Sequence, residues 1–384
     1  LLQGTLYRSG SFLSQGTLLL IFLISIFHAW KVVHDKNNPI YMKGLNTLLL
    51  MYVVYGTILM LNDGPITNGL VLRPPTFNYL KTYFISLLPI YSCYYYAKKG
   101  HLNPTTIKVW TVLFLFVGIA TYLRMEREAL EALMEEGAER DEITNNMGYV
   151  MLSLIPCMLV YNKTYIQYIG IGICALFVVM SMKRGAILIA AITIMIYVYQ
   201  KLKYTKGLKK IGIFVSIGIF LMLLFDYIQD FIVHSDYFQT RIEETLEGDT
   251  SSRDQIVSAL TYFYLTDASF IQQLFGIGAN GTLKIAENYA HNDWLETLIN
   301  QGLLGIGFFA YYWICFYRTV KSKRYSLFAY NTLLLIFSIC LIRTLFSMSI
   351  GDNTLFLSCM LGYALADKGS HVYYHNYENN ATNH

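Results

Sequence analysis

The side chains best suited to acid–base chemistry lie together at residues 289–296, in the polar stretch YAHNDWLE, directly before an apolar helical pattern. The imidazole of His291 can accept a proton from a hydroxyl group near neutral pH. Asn292 is a candidate for binding substrate, and the carboxylates of Asp293 and Glu296 are candidates for binding substrate or orienting the imidazole. The alternative is that His291 is a structural residue at a membrane boundary.

A candidate anion-binding residue, Arg253, follows the sequence DTSS at residues 249–252. The apolar residues after it keep a helical period, which places Arg253 in the first turn of a predicted helix: Ile256, Val257, Leu260 and Phe263. The exposed N–H groups and positive end of a helix favour an anion there, and a guanidinium adds a bidentate phosphate clamp. The alternative is an ion pair between Arg253 and Asp249 or Asp254.

Two further cations, Lys183 and Arg184, lie in the sequence SMKRGA between two apolar runs. Cations in that position are costly unless they are paired or solvated by an anion. Lys183 and Arg184 are therefore candidates for binding an anionic substrate. The alternative is that both side chains extend to the membrane surface without a further role.

The glycine-rich sequence LFGIGANG, at residues 274–281, lies between these two groups of candidates. Its glycines permit a tight turn and a close approach of two backbone segments. It is not a P-loop, because no Gly-Lys-Ser or Gly-Lys-Thr follows. On their own the glycines are a weak signal, since glycine-rich loops are common.

The composition indicates that membrane helices must position these residues. Of the 384 residues, 55% are hydrophobic and 14% are charged, whereas a soluble chain is about 25% charged. The net charge of +4 is modest, and no basic surface with interleaved aromatic residues suggests nucleic acid as a partner. The six cysteines lie in or beside apolar runs, which favours buried thiols over a disulfide framework or a thiolate metal site.

Apolar runs of about 20 residues are expected to cross a bilayer. The sequence predicts an all-α polytopic membrane bundle of about eleven spans: 12–30, 44–61, 80–97, 108–123, 147–161, 165–182, 185–200, 211–228, 303–318, 326–346 and 352–366. Lysine and arginine concentrate in alternate short loops, which we assign to the cytoplasm. Residue 1 is then outside and the C-terminus inside. Because the chain begins at Leu1 without Met, we expect a missing first span and about twelve spans in the full protein.

The predicted topology leaves two long segments outside the membrane. Residues 124–146 form a predicted acidic helix, for which a solvated surface is favoured over a substrate lid. Residues 229–295 are far longer than the two to eight residues that commonly join neighbouring helices. We therefore divide the chain into four parts, namely an N-terminal transmembrane bundle (1–228), a large outer loop (229–302), C-terminal transmembrane helices (303–366) and a cytoplasmic tail (367–384).

The order of the motifs resembles the bacterial O-antigen polymerase and ligase superfamily. SMKRGA is followed by a lysine-rich loop, the segments TRI (240–242) and SSRD (251–254), LFGIGANG, and HNDWLETLINQGLLG at residues 291–305. The last is the most specific, since the family pattern is His-Asn, a polar residue, a leucine-rich helix and Gly-Leu-Leu-Gly. The similarity in motifs covers roughly residues 165–320, and the rest is similar only in its pattern of spans.

The resemblance implies a GT-C-like membrane glycosyltransferase that uses polyprenyl-diphosphate-linked oligosaccharides. By this resemblance Arg184, Arg253 and His291 are expected to be catalytic residues. Arg241 matches the family pattern more loosely and is expected to bind substrate. One departure is that many members have a tryptophan shortly after the arginine corresponding to Arg253, where this chain has Val257 and Ser258. The departure concerns local packing more than the role of the arginine.

The implied chemistry agrees with the residue types. Arginines at the outer surface can stabilise the charge that develops on a diphosphate leaving group, and His291 is the candidate base for a sugar hydroxyl. The predicted outer segment (residues 229–295) contains no Asp-x-Asp sequence, so we expect metal-independent transfer without a cofactor. The expected partners are an undecaprenyl-diphosphate-linked oligosaccharide, membrane lipids and a regulator of chain length. The expected location is the bacterial inner membrane, with the site facing the periplasm.

Three functions are compatible with this pattern. A polymerase would join lipid-linked repeat units into O-antigen, capsular polysaccharide or exopolysaccharide. A ligase would transfer the glycan to lipid A–core or to a protein hydroxyl. A transporter or flippase is the remote alternative. Transporters tend to have broken helices and repeated halves, neither of which is clear in this sequence, and their charged residues line a path at mid-membrane. In this chain the candidate cations are predicted at the outer edge.

Overall fold

Every regular element in the described part of the chain is a helix. The computed structural model describes residues 12–61, 75–136, 147–181, 183–205, 253–347, 349–350 and 355–367, together with Gly207 and Lys210. The predicted all-α membrane bundle is confirmed, since several of these helices are long and apolar enough to cross a membrane. The predicted span 211–228 and the candidate Arg241 lie outside the described residues.

The first eight helices form the N-terminal part of the bundle. Their bounds are α1 Phe12–Val33, α2 Ile40–Leu61, α3 Pro75–Leu87, α4 Pro89–Lys98, α5 Pro104–Glu136, α6 Met147–Leu154, α7 Thr164–Met180 and α8 Arg184–Tyr204. A 3-10 turn, Ile155–Val160, continues α6. Within the described residues, α1, α2, α5 and α8 contain spans of at least 18 residues, whereas α6 with its 3-10 turn and α7 are shorter apolar helices.

Three short helices and three longer ones follow. The short helices are α9 Arg253–Tyr262, which ends in a π turn at Phe263–Asp267, α10 Phe270–Phe275 and α11 Thr282–Ala286. The longer ones are α12 Asp293–Ser322, α13 Leu327–Phe346 and α14 Leu355–Ala366. Of these, α12 and α13 are long and apolar enough to span, and α14 is a shorter apolar helix.

Two predicted elements differ in detail from the structure. The single span predicted at 80–97 is two helices, α3 and α4, because Pro89 lacks the N–H that would continue the hydrogen-bond ladder. The acidic segment predicted as a separate surface helix begins as a continuation of α5, which runs without interruption to Glu136. The predicted burial of the cysteines is confirmed for Cys93, Cys157, Cys174 and Cys315, while Cys340 and Cys359 are partly buried, and all six are free thiols.

The core of the bundle joins the two halves of the sequence. The most extensive packing is that of α12 against α2 and of α14 against α4, and α13 also packs against α8. Aromatic residues dominate the contact of α2 with α12, where the rings of Tyr41, Tyr312 and Phe316 meet and the two tyrosine hydroxyls lie 3.1 Å apart. The helices before and after the outer segment are thereby held in one bundle.

The long helix α12 changes direction at Gly302, where the backbone is not helical (φ +67°, ψ −164°). The break leaves backbone carbonyls without their usual helical donors. The glycine-rich sequence supplies two replacement donors, since the N–H groups of Ile277 and Gly278 donate to the carbonyls of Ile299 and Asn300 at 3.0 Å each. The outer segment is therefore joined to α12 at its break, directly before the span predicted at 303–318.

The two backbones approach so closely that both sides need glycine. A Cβ at Gly302 would lie 2.5 Å from the backbone N of Gly276 and from the carbonyl of Leu274. A Cβ at Gly276, which also has a positive φ of +77°, would lie 2.3 Å from the carbonyl of Asn300. A substitution at either position must displace backbone rather than a flexible side chain.

We predict that Gly302→Ala strongly destabilises the protein, whereas Gly307→Ala, one and a half turns further along α12, does not. The positive φ alone costs roughly 1–3 kcal/mol for a non-glycine residue, and the clash with the Gly276 backbone adds to it. A Cβ at Gly307 has nothing within 4 Å, so alanine there is expected to stabilise the helix by roughly 0.5–1 kcal/mol. Thermal unfolding midpoints of the two variants in detergent check this, and equal midpoints would contradict the role of the crossing.

Candidate functional site

A small hydrophobic cluster holds the outer helices against the beginning of α12. Its buried members are Leu260 of α9, Ala290 of the following loop and Ile299 of α12. The apolar positions that predicted a helix after Arg253 pack onto this cluster through Ile256 and Phe263. The cluster therefore places the start of α9 beside the loop that carries the candidate histidine.

Asn292 is the N-cap of α12. Its side-chain oxygen accepts hydrogen bonds from the backbone N–H groups of Trp294 (2.9 Å) and Leu295 (3.1 Å), which satisfies donors that a helix N-terminus leaves open. Its amide nitrogen donates to the carbonyl of Leu345, near the end of α13, at 3.3 Å. Asn292 thus fixes both where α12 begins and how that end meets α13.

The carboxylate of Glu296 is buried and accepts three hydrogen bonds from the chain. One oxygen accepts from the hydroxyl of Thr282 (2.6 Å) and the side-chain amide of Asn300 (2.8 Å), and the other accepts from the backbone N–H of Ala290 (2.9 Å). These bonds connect α12 with α11 and with the residue directly before His291. Glu296 therefore fixes the backbone at the candidate base.

The carboxylate of Asp293 is also buried, and its described bonds point towards the segment after α13. It accepts from the backbone N–H and the hydroxyl of Ser349 at 2.8 Å each, and from the N–H of Ile350 at 3.2 Å. Arg343 lies close enough to interact with this carboxylate electrostatically. Its guanidinium also lies 4.3 Å from the centre of the Tyr149 ring. Asp293 thus joins the start of α12 to the segment after α13.

His291 is half-buried and lies between Ala290, which donates to Glu296, and Asn292, the N-cap of α12. Its φ of +50° is in the left-handed region, which few non-glycine residues adopt. Burial lowers the pKa of its imidazole below the ordinary value of 6.5, and the positive charges of Arg253 and Lys183 lower it further. The imidazole is therefore held in its neutral form at neutral pH, which is the form that accepts a proton.

The turn with the other two cations lies at the same end of the bundle. Arg184 is the first residue of α8 and is exposed, and Lys183 before it is half-buried. A Cβ at Gly185 would lie 2.8 Å from the hydroxyl of Tyr149 and 3.4 Å from the Cβ of Phe346, so this turn lies close against α6 and α13. Since Leu345, next to Phe346, accepts from Asn292, the two candidate segments meet at the end of α13.

The structure therefore brings some of the sequence-predicted residues together and gives others a different environment. Lys183 and Arg253 both act on His291 electrostatically, although they come from segments about 70 positions apart (253 − 183). The carboxylates of Asp293 and Glu296 accept hydrogen bonds from other parts of the chain. The exposed Arg184 lies at the same end of the bundle.

Sequence reasoning did not single out the residues that complete these networks. Ser349 and Thr282 donate to the two carboxylates, and the Trp294 indole donates to the hydroxyl of Thr344 at 2.9 Å. Hydroxyl residues of this kind are common in loops, so only the buried partners make them informative. Arg343, an arginine within an apolar run, was the one available signal of a buried polar network.

These features define a multi-pass helical membrane protein whose polar candidate residues gather at one end of the bundle, beside a helical segment inserted between α8 and α12. Residues 169–310 match the family model described as O-antigen ligase. The resemblance to the O-antigen polymerase and ligase superfamily is thereby confirmed over this region, which includes His291 and all the cationic candidates. A comparison with curated proteins finds none that matches the chain.

We predict that Glu296→Gln lowers stability by about 1–3 kcal/mol, the cost of leaving a buried donor or acceptor unsatisfied. The partners of both carboxylate oxygens donate hydrogen bonds, so the new amide group must face at least one donor. Glu287→Gln removes the same charge from an exposed position, where a change within about 0.5 kcal/mol is expected. Unfolding midpoints of the two variants in detergent make the comparison, and similar losses in both would contradict the proposed role of the buried carboxylate.

Proposed function

We propose that the protein is a membrane glycosyltransferase that polymerises polyprenyl-diphosphate-linked oligosaccharide repeat units into O-antigen, capsular polysaccharide or exopolysaccharide. The family match supports enzymes that handle lipid-linked glycans. The observation that carries the proposal is the neutral imidazole of His291 within electrostatic reach of Lys183 and Arg253. A base beside two cations is suited to a reaction in which a hydroxyl loses a proton while an anionic group departs.

In the proposed reaction, the acceptor is a sugar hydroxyl of one lipid-linked unit. Its oxygen forms a bond to the anomeric carbon of a second unit, and its proton passes to the imidazole of His291. The bond from the anomeric carbon to the lipid diphosphate breaks, and the diphosphate leaves with the bonding electron pair. Arg253 and Lys183 stabilise the negative charge that develops on that leaving group.

Arg184 and Arg241 complete the proposed anion-binding set. Arg184 is exposed at the start of α8, where the N–H groups of the first helical turn also favour an anion. Arg241 is assigned to substrate binding from the motif alone. We place the active site on the periplasmic side of the bacterial inner membrane, and a protein that regulates chain length is a proposed partner.

In this mechanism the buried carboxylates of Asp293 and Glu296 do not contact the sugar directly. Glu296 holds the backbone at Ala290, and Asp293 holds the segment at Ser349, so both act on His291 through its position. Asn292 has its side-chain oxygen committed to the first turn of α12. Its contribution to substrate binding is therefore expected through the placement of the neighbouring imidazole.

A ligase is the second candidate, because the matching family model is described as O-antigen ligase. The donor, the leaving diphosphate and the role of the base are the same in both reactions. The difference lies in the acceptor, which for a ligase is lipid A–core or a protein hydroxyl.

The polymerase proposal predicts that purified protein in lipid vesicles converts lipid-linked repeat units into ladders of increasing glycan length without a second acceptor. Gel electrophoresis of the released glycans detects such ladders. Transfer that appears only after lipid A–core or an acceptor protein is added would establish the ligase instead. In either assay His291→Ala should abolish turnover while the protein still binds the lipid-linked donor, and turnover by this variant would contradict the role of the base.

The electrostatic arrangement predicts a shift in the pH profile of Arg253→Gln. Activity requires neutral His291, so kcat/KM rises as the pH increases through the pKa of this residue in the free enzyme. Because the charge of Arg253 lowers that pKa, its removal raises the pKa and moves the acidic limb to higher pH. The matched variant Lys284→Gln loses an exposed cation of α11 and should keep the original limb. A lower rate for Arg253→Gln with an unshifted limb would contradict the electrostatic coupling.

A further inference from the structure

The outer segment carries an apolar surface that the active-site chemistry does not use. Between Asp254 and Lys284 the single charged residue is Asp267. Six large apolar side chains of this stretch are exposed, namely Val257 and five that follow the middle of α9. We call these five the outer apolar face: Tyr262, Leu265, Phe270, Ile271 and Phe275. Leu265, Phe270 and Ile271 are 69%, 77% and 70% exposed, which is unusual for neighbouring large apolar residues in water.

The position of this face relative to the bundle indicates what covers it. The hydroxyl of Tyr55 in α2 donates to the carbonyl of Phe275 at 2.5 Å and to that of Gln301 at 3.2 Å. Tyr55 lies four residues before Leu59, the end of the apolar span of α2. At 1.5 Å per residue, this anchoring point lies about 6 Å inside the end of the span.

The direction of the tyrosine side chain strengthens this argument. Side chains of a helix tilt towards its N-terminus, and α2 runs towards the end of the bundle that carries the candidate site. Tyr55 therefore leans away from that end and further into the span. The end of α10, which it holds, therefore lies within the length of the predicted span of α2 and not beyond its end.

The end of α10 also crosses α12 directly before a run of exposed apolar residues. Just beyond the break at Gly302, where Gly276 crosses α12, the span exposes Leu303, Leu304 and Phe308. A helix that crosses a bilayer directs such residues at acyl chains. The end of α10 is therefore adjacent to lipid-facing residues of α12.

We propose that the outer apolar face is inserted into the outer leaflet of the membrane, with acyl chains and the headgroup boundary as its occupant. Amphipathic surface elements of this kind bury their apolar side by roughly 5–10 Å. The contact would hold the start of α9, and with it Arg253, at the level where a lipid-linked diphosphate lies. The membrane contact itself does not depend on the proposed glycosyl transfer.

Quenching by brominated lipids tests this proposal directly. Phe270→Trp and Ile271→Trp each place a reporter on the face, and Lys284→Trp places one on an exposed charged position of α11. The full-length proteins are reconstituted in phosphatidylcholine vesicles, and the emission of the unsubstituted protein is subtracted. We expect lipids brominated near the headgroup to remove most of the added emission at 270 and 271, with deeper bromines less effective and little loss at 284.

Aqueous acrylamide distinguishes the other possible occupants. Reporters at 270 and 271 that acrylamide quenches and brominated lipid does not are in water, and that result would overturn the proposal. Reporters protected from both quenchers are packed against protein, such as a second copy of this chain, and that result would overturn it as well. Size-exclusion chromatography checks that each variant is folded, and having two reporters on the face guards against the loss of one. Glycan transfer is not the readout, so failure of the proposed function leaves the test intact.

Discussion

The carbonyl groups released where α12 breaks at Gly302 need other hydrogen-bond donors, because a buried backbone group that is left unpaired is costly. The outer segment and α2 supply the donors. The N–H groups of Ile277 and Gly278 donate to Ile299 and Asn300, and the Tyr55 hydroxyl donates to Gln301. The break therefore determines where the outer segment lies, and the direction of the first part of α12 follows from it.

The buried carboxylates of α12 extend this constraint to the candidate base. Glu296 and Asp293 lie in the first part of α12, one turn apart, and each accepts hydrogen bonds from a different neighbouring segment. His291 lies between Ala290, which donates to Glu296, and the N-cap Asn292, and it has a left-handed conformation. The arrangement keeps the imidazole half-buried beside two cations, and both the burial and the charges favour its neutral form. The packing around His291 therefore sets both the position of its imidazole and the form in which that imidazole is held.

Much of the fold followed from the sequence because apolar length and the helical period are local properties. The helix after Arg253 and the one entered at Asp293 were both predicted from the spacing of apolar residues, and the structure contains both. The division of the predicted span at Pro89 was missed, since an apolar run does not show whether its two halves are collinear. The glycines of LFGIGANG indicated a close approach of backbones, but not that the partner would be Gly302.

The candidate site was less predictable, because its contacts join distant parts of the chain. Nothing in the sequence indicated that Glu296 would accept from Thr282 and Ala290, or that Asp293 would accept from Ser349. Charged residues beside a candidate histidine suggested direct roles with substrate, whereas both carboxylates are buried and bonded to the chain. The closeness of Lys183 and Arg253 to His291 depends on how three segments pack, which a pattern of residue types does not specify.

The central claim is that the turn at Lys183 and the start of α9 meet at one site beside His291. Once the six native cysteines are replaced by alanine, cross-linking of a protein with Lys183→Cys and Arg253→Cys by a short bifunctional maleimide tests it most directly, with Lys183→Cys and Lys321→Cys as the control pair. Lys321 lies near the far end of α12, 28 positions after Asp293 (321 − 293), or about 42 Å along the helix. The account predicts an intramolecular link in the first pair and none in the second. Cysteines at 183 and 253 that are each labelled singly but do not link would contradict it.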